Sequence, residues 1–127
     1  MNFDYLIVGA GSAGCVLANK LSEDPKNSVL LIEAGPMDSS YSIKMPLAAS
    51  SLFKSKKYGW CYETEPEKNL NNRTINWPRG KTLGGSSSIN GMLYIRGQAD
   101  DYDNWEQLGN NGWGYRDLLK YFIGIHL

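Results

Sequence analysis

The feature that most constrains this chain is a run of glycines set between two kinds of apolar pattern. Tyr5-Leu6-Ile7-Val8 is a short unbroken apolar run, which suits a strand buried on both faces. Gly9-Ala10-Gly11-Ser12-Ala13-Gly14 follows at once. Beyond it the apolar positions turn helical, with Ala13, Val16, Leu17 and Leu21 on one face at spacings of three and four. Asp24-Pro25 ends that helix, because the residue before a proline is pushed out of the helical region. Val29-Leu30-Leu31-Ile32 then reads as a second buried strand, closing a strand–helix–strand unit at Glu33.

Gly-x-Gly-x-x-Gly is weak evidence by itself, but a strand before it and a helix opening within it give each glycine a task. Gly9 allows the tight turn off the strand, and Gly11 lets a pyrophosphate approach the bare backbone. Gly14 lets helix and strand pack closely. The free N–H groups near Ser12 and Ala13, at the positive end of the helix dipole, face the phosphates. Glu33 stands roughly 20 residues on, where a carboxylate accepts hydrogen bonds from ribose hydroxyls and repels a 2′-phosphate. These residues together predict a site for an adenine dinucleotide and disfavour NADP. They do not choose between NAD and FAD.

Composition narrows the class of protein. The chain has 127 residues, 42% hydrophobic and 20% charged, which suits one globular domain. Thirteen basic residues balance thirteen acidic ones, which argues against a nucleic-acid partner and against a polybasic membrane anchor. No stretch approaches the roughly 20 apolar residues of a membrane helix. The start, Met1-Asn2-Phe3-Asp4, lacks the charged and apolar regions of a signal peptide, so the expected location is cytoplasmic. Cys15 and Cys61 have neither redox nor metal spacing, and Cys15 reads as a small buried apolar residue.

The rest of the chain is less periodic. From Pro36 to about Tyr58 an irregular segment with one short helix is expected. Cys61 to Thr64 and Arg73 to Trp77 read as short strands around the turn-rich Asn69-Leu70-Asn71-Asn72. A glycine- and serine-rich turn from Gly80 to Ser88 leads into an expected helix through Ile89, Met92, Leu93 and Ile95. Helices over Asp100 to Leu108 and Tyr115 to Phe122 are split by Gly109-Asn110-Asn111-Gly112. With no repeat and no low-complexity linker, a single domain is the economical reading.

The segment Arg79-Gly80-Lys81-Thr82-Leu83-Gly84-Gly85-Ser86-Ser87-Ser88-Ile89-Asn90-Gly91-Met92, continued through Arg96-Gly97, resembles the signature of the glucose–methanol–choline (GMC) oxidoreductases. The opening Asp4 through Cys15 and the later Asp101-Tyr102-Asp103-Asn104-Trp105 and Trp113-Gly114-Tyr115 resemble the same family, closest to bacterial choline dehydrogenases and related alcohol dehydrogenases. The resemblance implies an α/β fold, a partial Rossmann-like FAD-binding domain with an incomplete sheet over residues 1–127. Leu83, Gly84, Gly85 and Ser86 resemble the turn along the flavin and pyrophosphate. Asn90, Gly91, Met92 and Leu93 resemble the stretch that meets the isoalloxazine edge. Some members tether the flavin through a histidine where this chain has Ile89, so non-covalent FAD is implied.

The resemblance also implies hydride transfer from a choline-like primary alcohol to FAD, with a histidine taking the hydroxyl proton. That histidine lies far toward the family's C-terminus. Here the single histidine, His126, matches no family motif, so no catalytic residue and no metal ligand is assigned. The expectation is the FAD-binding part of such an enzyme, inactive alone, with the substrate domain absent. A separately encoded C-terminal half, a non-catalytic dinucleotide-binding module and a non-functional fragment are the alternatives.

Overall fold

The computed structural model describes residues 2–124. They form two compact units, Met1–Leu93 and Tyr94–Leu127, where the sequence has no linker and reads as one domain.

The first unit opens with the expected strand–helix–strand. Strand β1 (Tyr5–Val8) and strand β2 (Val29–Ile32) pair in parallel, with Tyr5 opposite Val29 and Val8 opposite Ile32. Helix α1 (Ser12–Ser22) connects them and ends before Asp24-Pro25. Its inward face differs from the periodic one. Gly14, Ala18 and Leu21 are half-buried, whereas Val16 and Leu17 are 55% and 51% exposed. The reason is distance: a Cβ on Gly14 would lie 1.9 Å from the Gly9 carbonyl oxygen. Only the helix edge with the smallest side chains can come this close to the strand.

The strands are not buried on both faces. Ile7 is buried, but Leu6 and Val8, which alternate with it, are 61% and 80% exposed. Alternation puts Leu6, Val8 and their partners Leu30 and Ile32 on one face of the sheet. Helix α1 lies on the other face, while on this one Leu6 and Val8 stay largely open to solvent and Leu30 is half-buried. Apolar runs of this kind state that a strand is meant to be covered; they do not say by what.

The two strands are also tied at their start. Asp4 accepts hydrogen bonds from the Ser28 backbone N–H at 2.8 Å and from its hydroxyl at 2.6 Å. The hydroxyl bond first, then the backbone one, hold the Asp4 carboxyl below the ordinary aspartate value of 3.8. A lowered folded value means the stabilisation is present above the unfolded pKa and is lost as pH falls through the folded one. The melting temperatures of the wild type and Asp4→Asn are therefore expected to differ near neutrality and to converge as pH falls through the lowered value of the Asp4 carboxyl. A thermal melt series over pH checks this, and a gap that persists in acid counts against the Asp4–Ser28 tie.

Between residues 36 and 58 the expected single short helix becomes two, α2 (Tyr41–Lys44) and α3 (Ala49–Leu52), joined by a 3-10 turn at Pro46–Ala48. Ile43 of α2 and Leu52 of α3 pack with Ile89 as a small apolar core, flanked by Tyr58. Strands β3 (Tyr62–Glu63) and β4 (Asn76–Trp77) form an antiparallel ribbon. Bridges at Gly59–Gly80 and Glu67–Arg73 extend it on either side. Asn71 and Asn72 take the left-handed conformation that turns it, one that asparagine tolerates better than other residues with a side chain.

The helix expected through Ile89, Met92, Leu93 and Ile95 does not form. A 3-10 turn at Gly85–Ser88 ends at Ile89, and residues 91–98 take no regular structure. One local bond and a left-handed residue compete with the helix. The Asn90 side chain accepts from the Met92 N–H at 2.9 Å, an Asx turn, and Met92 has a φ of 58°. Cys15 also departs from expectation: it is exposed, its thiol directed to the Ala10 carbonyl at 3.3 Å.

The second unit is a helical hairpin of α4 (Ala99–Gln107) and α5 (Tyr115–Gly124). Asp101 accepts from the Gln98 N–H at the start of α4, and Gly109 and Gly112 supply positive φ for the turn. Tyr102 packs against Trp105, Tyr115 and Phe122 at ring distances of 5.3–6.1 Å, the aromatic contact that closes the hairpin. His126 lies outside the described residues.

Candidate dinucleotide site

The glycine turn takes the conformation its residues predict. Gly9 has a φ of 97°, open only to glycine at low cost, and its N–H donates to the Ile32 carbonyl at 2.7 Å. Gly11 is the extended residue that caps α1, and no side chain caps the helix. The first N–H groups of a helix have no partner within it, so those at Ser12, Ala13 and Gly14 converge on whatever lies over Gly11. A Cβ built on Gly11 would meet nothing within 4 Å. That open space is the cradle a pyrophosphate needs, and the chain leaves it clear.

Glu33 binds the turn as well as facing the cleft. One carboxylate oxygen accepts the Ala10 N–H at 2.8 Å and the other the Gly35 N–H at 2.9 Å. Each carboxylate oxygen has a second lone pair, so the group keeps acceptor capacity for hydroxyls. Spacing alone does not reveal this second task, since Ala10 becomes a neighbour only when β1 and β2 pair.

The second glycine segment lies directly against the first. The Gly84 N–H donates to the Ala10 carbonyl at 2.7 Å, and the Leu83 N–H to the Pro36 carbonyl at 3.0 Å. The Thr82 hydroxyl donates to that same Pro36 oxygen at 2.8 Å, and Thr82 is fully buried. Gly85 is buried, with a φ of 57°, and a Cβ on it would stand 3.0 Å from the Gly11 Cα. The Ser86 hydroxyl accepts the Gly80 N–H at 3.0 Å. Gly35 is required for the same closeness, since its Cβ would meet the Lys81 carbonyl oxygen at 2.0 Å.

Together these pieces enclose a cleft of about 440 Å³, lined among others by Gly9, Gly11, Glu33, Ala34, Trp60 and Gly85. Of the residues the sequence proposes, the cleft unites Gly9, Gly11, Glu33 and Gly85, while Ser12, Ala13 and Gly14 do not line it. Leu83, Gly84 and Ser86 brace it. Asn90, Gly91, Met92 and Leu93 are exposed and do not line it. Sequence reasoning missed Val8, Ile32, Ala34, Trp60 and Gly80. Ala34 follows Glu33 directly and could have been inferred from it; Trp60 reaches the cleft only through the ribbon.

The residues fit an adenine dinucleotide, with a bare backbone cradle at a helix N-terminus and a carboxylate at the end of β2. Among the described residues no group of His, Cys, Asp or Glu is placed to hold a metal ion, and no helix is long and apolar enough to cross a membrane.

Comparison with known proteins agrees with this geometry. Residues 3–126 match the family described as GMC oxidoreductase. The chain is 57% identical over 120 residues to an alcohol dehydrogenase [acceptor] of Pseudomonas putida, covering 94% of this chain and 22% of that protein. It is 57% identical over 122 residues to an oxygen-dependent choline dehydrogenase of Rhizobium etli, covering 96% of this chain and 22% of the other. Among solved structures, pyridoxine 4-oxidase from Mesorbium loti superposes with a TM-score of 0.89 at 43% identity, over 95% of this chain and 24% of that one. An FAD-dependent oxidoreductase from Chaetomium thermophilum superposes with a TM-score of 0.82 at 40% identity, over 96% and 20% of the two chains. The chain thus spans about a fifth of the length of the curated relatives it matches. The strand–glycine–helix turn, the Glu33 carboxylate, the second glycine segment and a match over nearly the whole chain show that this chain belongs to the GMC oxidoreductases, a family of FAD-binding flavoproteins, and holds part of their FAD-binding N-terminal region.

Proposed function

We propose that this chain holds the adenosine diphosphate end of a non-covalent FAD in an oxidoreductase that takes a hydride from the CH–OH group of a small, choline-like primary alcohol. The observation that carries this reading is the convergence of Gly11, Glu33 and Gly85 on one cleft. Bound FAD would supply the hydride acceptor. The chain's own residues bind and orient: the N–H groups at Ser12 and Ala13 meet the diphosphate, Glu33 the ribose, and Gly84-Gly85 brace the turn. Asn90 to Leu93, exposed in the first unit, are left to meet the flavin end. Ile89, apolar and buried, offers no atom for a covalent tether.

No described residue is assigned as the base that takes the hydroxyl proton. Glu33 is held by two backbone N–H groups, and a base must come within hydrogen-bond reach of the substrate. In this reading the base and the substrate wall come from the family's C-terminal portion, on the same chain or a separate one, and the protein works in the cytoplasm. Residues 1–127 are expected to quench FAD fluorescence saturably, yet to give no choline-dependent flavin bleaching under anaerobic conditions. Bleaching is expected to appear when the family's C-terminal portion is added, fused or in trans. Alcohol-dependent bleaching by residues 1–127 alone would overturn the division of labour, and absence of FAD binding would overturn the site.

A further inference from the structure

The cleft poses a charge problem. A dinucleotide brings two negative charges on its diphosphate, and Glu33, the one charged residue among those lining the cleft, adds a third. The N-terminus of α1 offers about half a positive charge. A cation nearby would offset part of the remainder, and the structure has one beside the cleft wall.

Lys81 follows Gly80, which lines the cleft, and is half-buried. Its ammonium lies 4.6 Å from the ring centroid of Trp60, which also lines the cleft. The ribbon explains the placement. The Lys81 N–H donates to the Tyr58 carbonyl at 2.8 Å and the Trp60 N–H to the Arg79 carbonyl at 2.9 Å, so Lys81 stands diagonally across from Trp60 on one face. Tyr62 stacks parallel to Trp60 at 5.9 Å and steadies the ring. The ion pair found among the described residues joins Lys20 to Glu23, so no described carboxylate lies within 4.0 Å of the Lys81 ammonium. A ring face holds an ammonium without neutralising it. Arg79, the neighbouring cation, is otherwise engaged, with its guanidinium on Trp77 and a bond to the Pro78 carbonyl.

We propose that Lys81 is the counter-charge for the diphosphate of the bound dinucleotide, and that Trp60 is its positioning residue. The proposal rests on the FAD reading above and adds a residue to it. Its simplest rival is a lysine that merely lays its aliphatic stem along an indole, which would leave ligand affinity independent of the charge.

The test is an FAD titration of the full chain, read by flavin fluorescence, at about 10 mM and about 1 M salt, where the screening length falls from roughly 30 to 3 Å. Lys81→Met is expected to weaken binding on the order of tenfold at low salt, the size of one charge-assisted contact, and to flatten the salt dependence. Lys81→Arg, which keeps the charge, is expected to keep both affinity and salt dependence. Trp60→Leu, which removes the ring face under the ammonium, is expected to weaken binding and flatten the salt dependence with the lysine still present, and unchanged binding in it overturns the positioning role. Wild-type binding that Lys81→Met leaves unchanged at low salt overturns the Lys81 assignment alone. Absence of wild-type FAD binding at either salt overturns the dinucleotide reading and this one with it. Should Lys81→Met give no cooperative melt, Lys81→Gln and the wild-type salt series decide, and a wild-type affinity equal at both salts overturns the proposal.

Discussion

Gly14→Val is expected to abolish FAD binding and to lower the melting temperature, whereas Gly11→Ala is expected to abolish binding with the melting temperature unchanged. The two glycines share a motif but meet different surroundings. A Cβ on Gly14 would stand 1.9 Å from the Gly9 carbonyl oxygen and 3.1 Å from its carbon. Non-bonded heavy atoms settle near 3.5 Å, so the turn must open by more than an ångström. The obstacle is backbone, which has no rotamer to swing aside, so the cost falls near the upper end of overpacking, about 3 kcal/mol. Opening the turn also moves the N–H groups at Ser12 and Ala13, and hydrogen bonds weaken steeply with distance and angle. Gly11 is the opposite case. Its φ of −77° suits any residue, and its Cβ would enter open space. The added methyl harms only what must occupy that space. Thermal melts paired with FAD titrations separate the two, and a Gly11→Ala protein that binds FAD normally would remove the pyrophosphate from this turn.

Glu33→Arg is expected to lose on both counts, stability and FAD affinity. The carboxylate holds the Ala10 and Gly35 N–H groups at 2.8 and 2.9 Å, and hydrogen bonds to a charged group contribute about 1.5–3 kcal/mol each. Partial exposure of the site lowers that figure, so a loss of about 2 kcal/mol for the pair is expected. The ligand loses its ribose acceptor as well. Glu33→Gln distinguishes the tasks: an amide accepts through one oxygen and must turn a donor toward the other N–H, so it is expected to fall between wild type and Glu33→Arg in melting temperature. Unchanged FAD affinity in Glu33→Arg would take Glu33 out of the ligand site while leaving its bond to the turn intact.

Much of this is legible in the sequence alone. Both strands of the parallel pair, the helix between them and its stop before Asp24-Pro25 follow from periodicity and proline sterics, which act within a few residues. The same holds for the two helices of the second unit, set apart by Gly109 and Gly112. The glycine spacing and Glu33 point to an adenine dinucleotide because bare backbone at a helix start and a carboxylate at the next strand end suit diphosphate and ribose together. What failed was also local in cause: the helix expected from Ile89 yields to the Asx turn at Asn90, and short apolar runs cannot reveal that one face of their sheet stays largely open to solvent.

By itself, then, the sequence determined most of the elements, the class of ligand and the family, since these depend on residue types at short spacings. Tertiary structure decided which residues meet. Pairing of β1 with β2 brings the Glu33 carboxylate to Ala10, and the close passage of two backbones at Gly35 and Gly85 brings the second glycine segment against the first. Folding of the ribbon carries Trp60 to the wall of the cleft and sets the Lys81 ammonium against its ring. Contacts between residues far apart in the chain depend on how the elements pack, and no spacing within a single element encodes that.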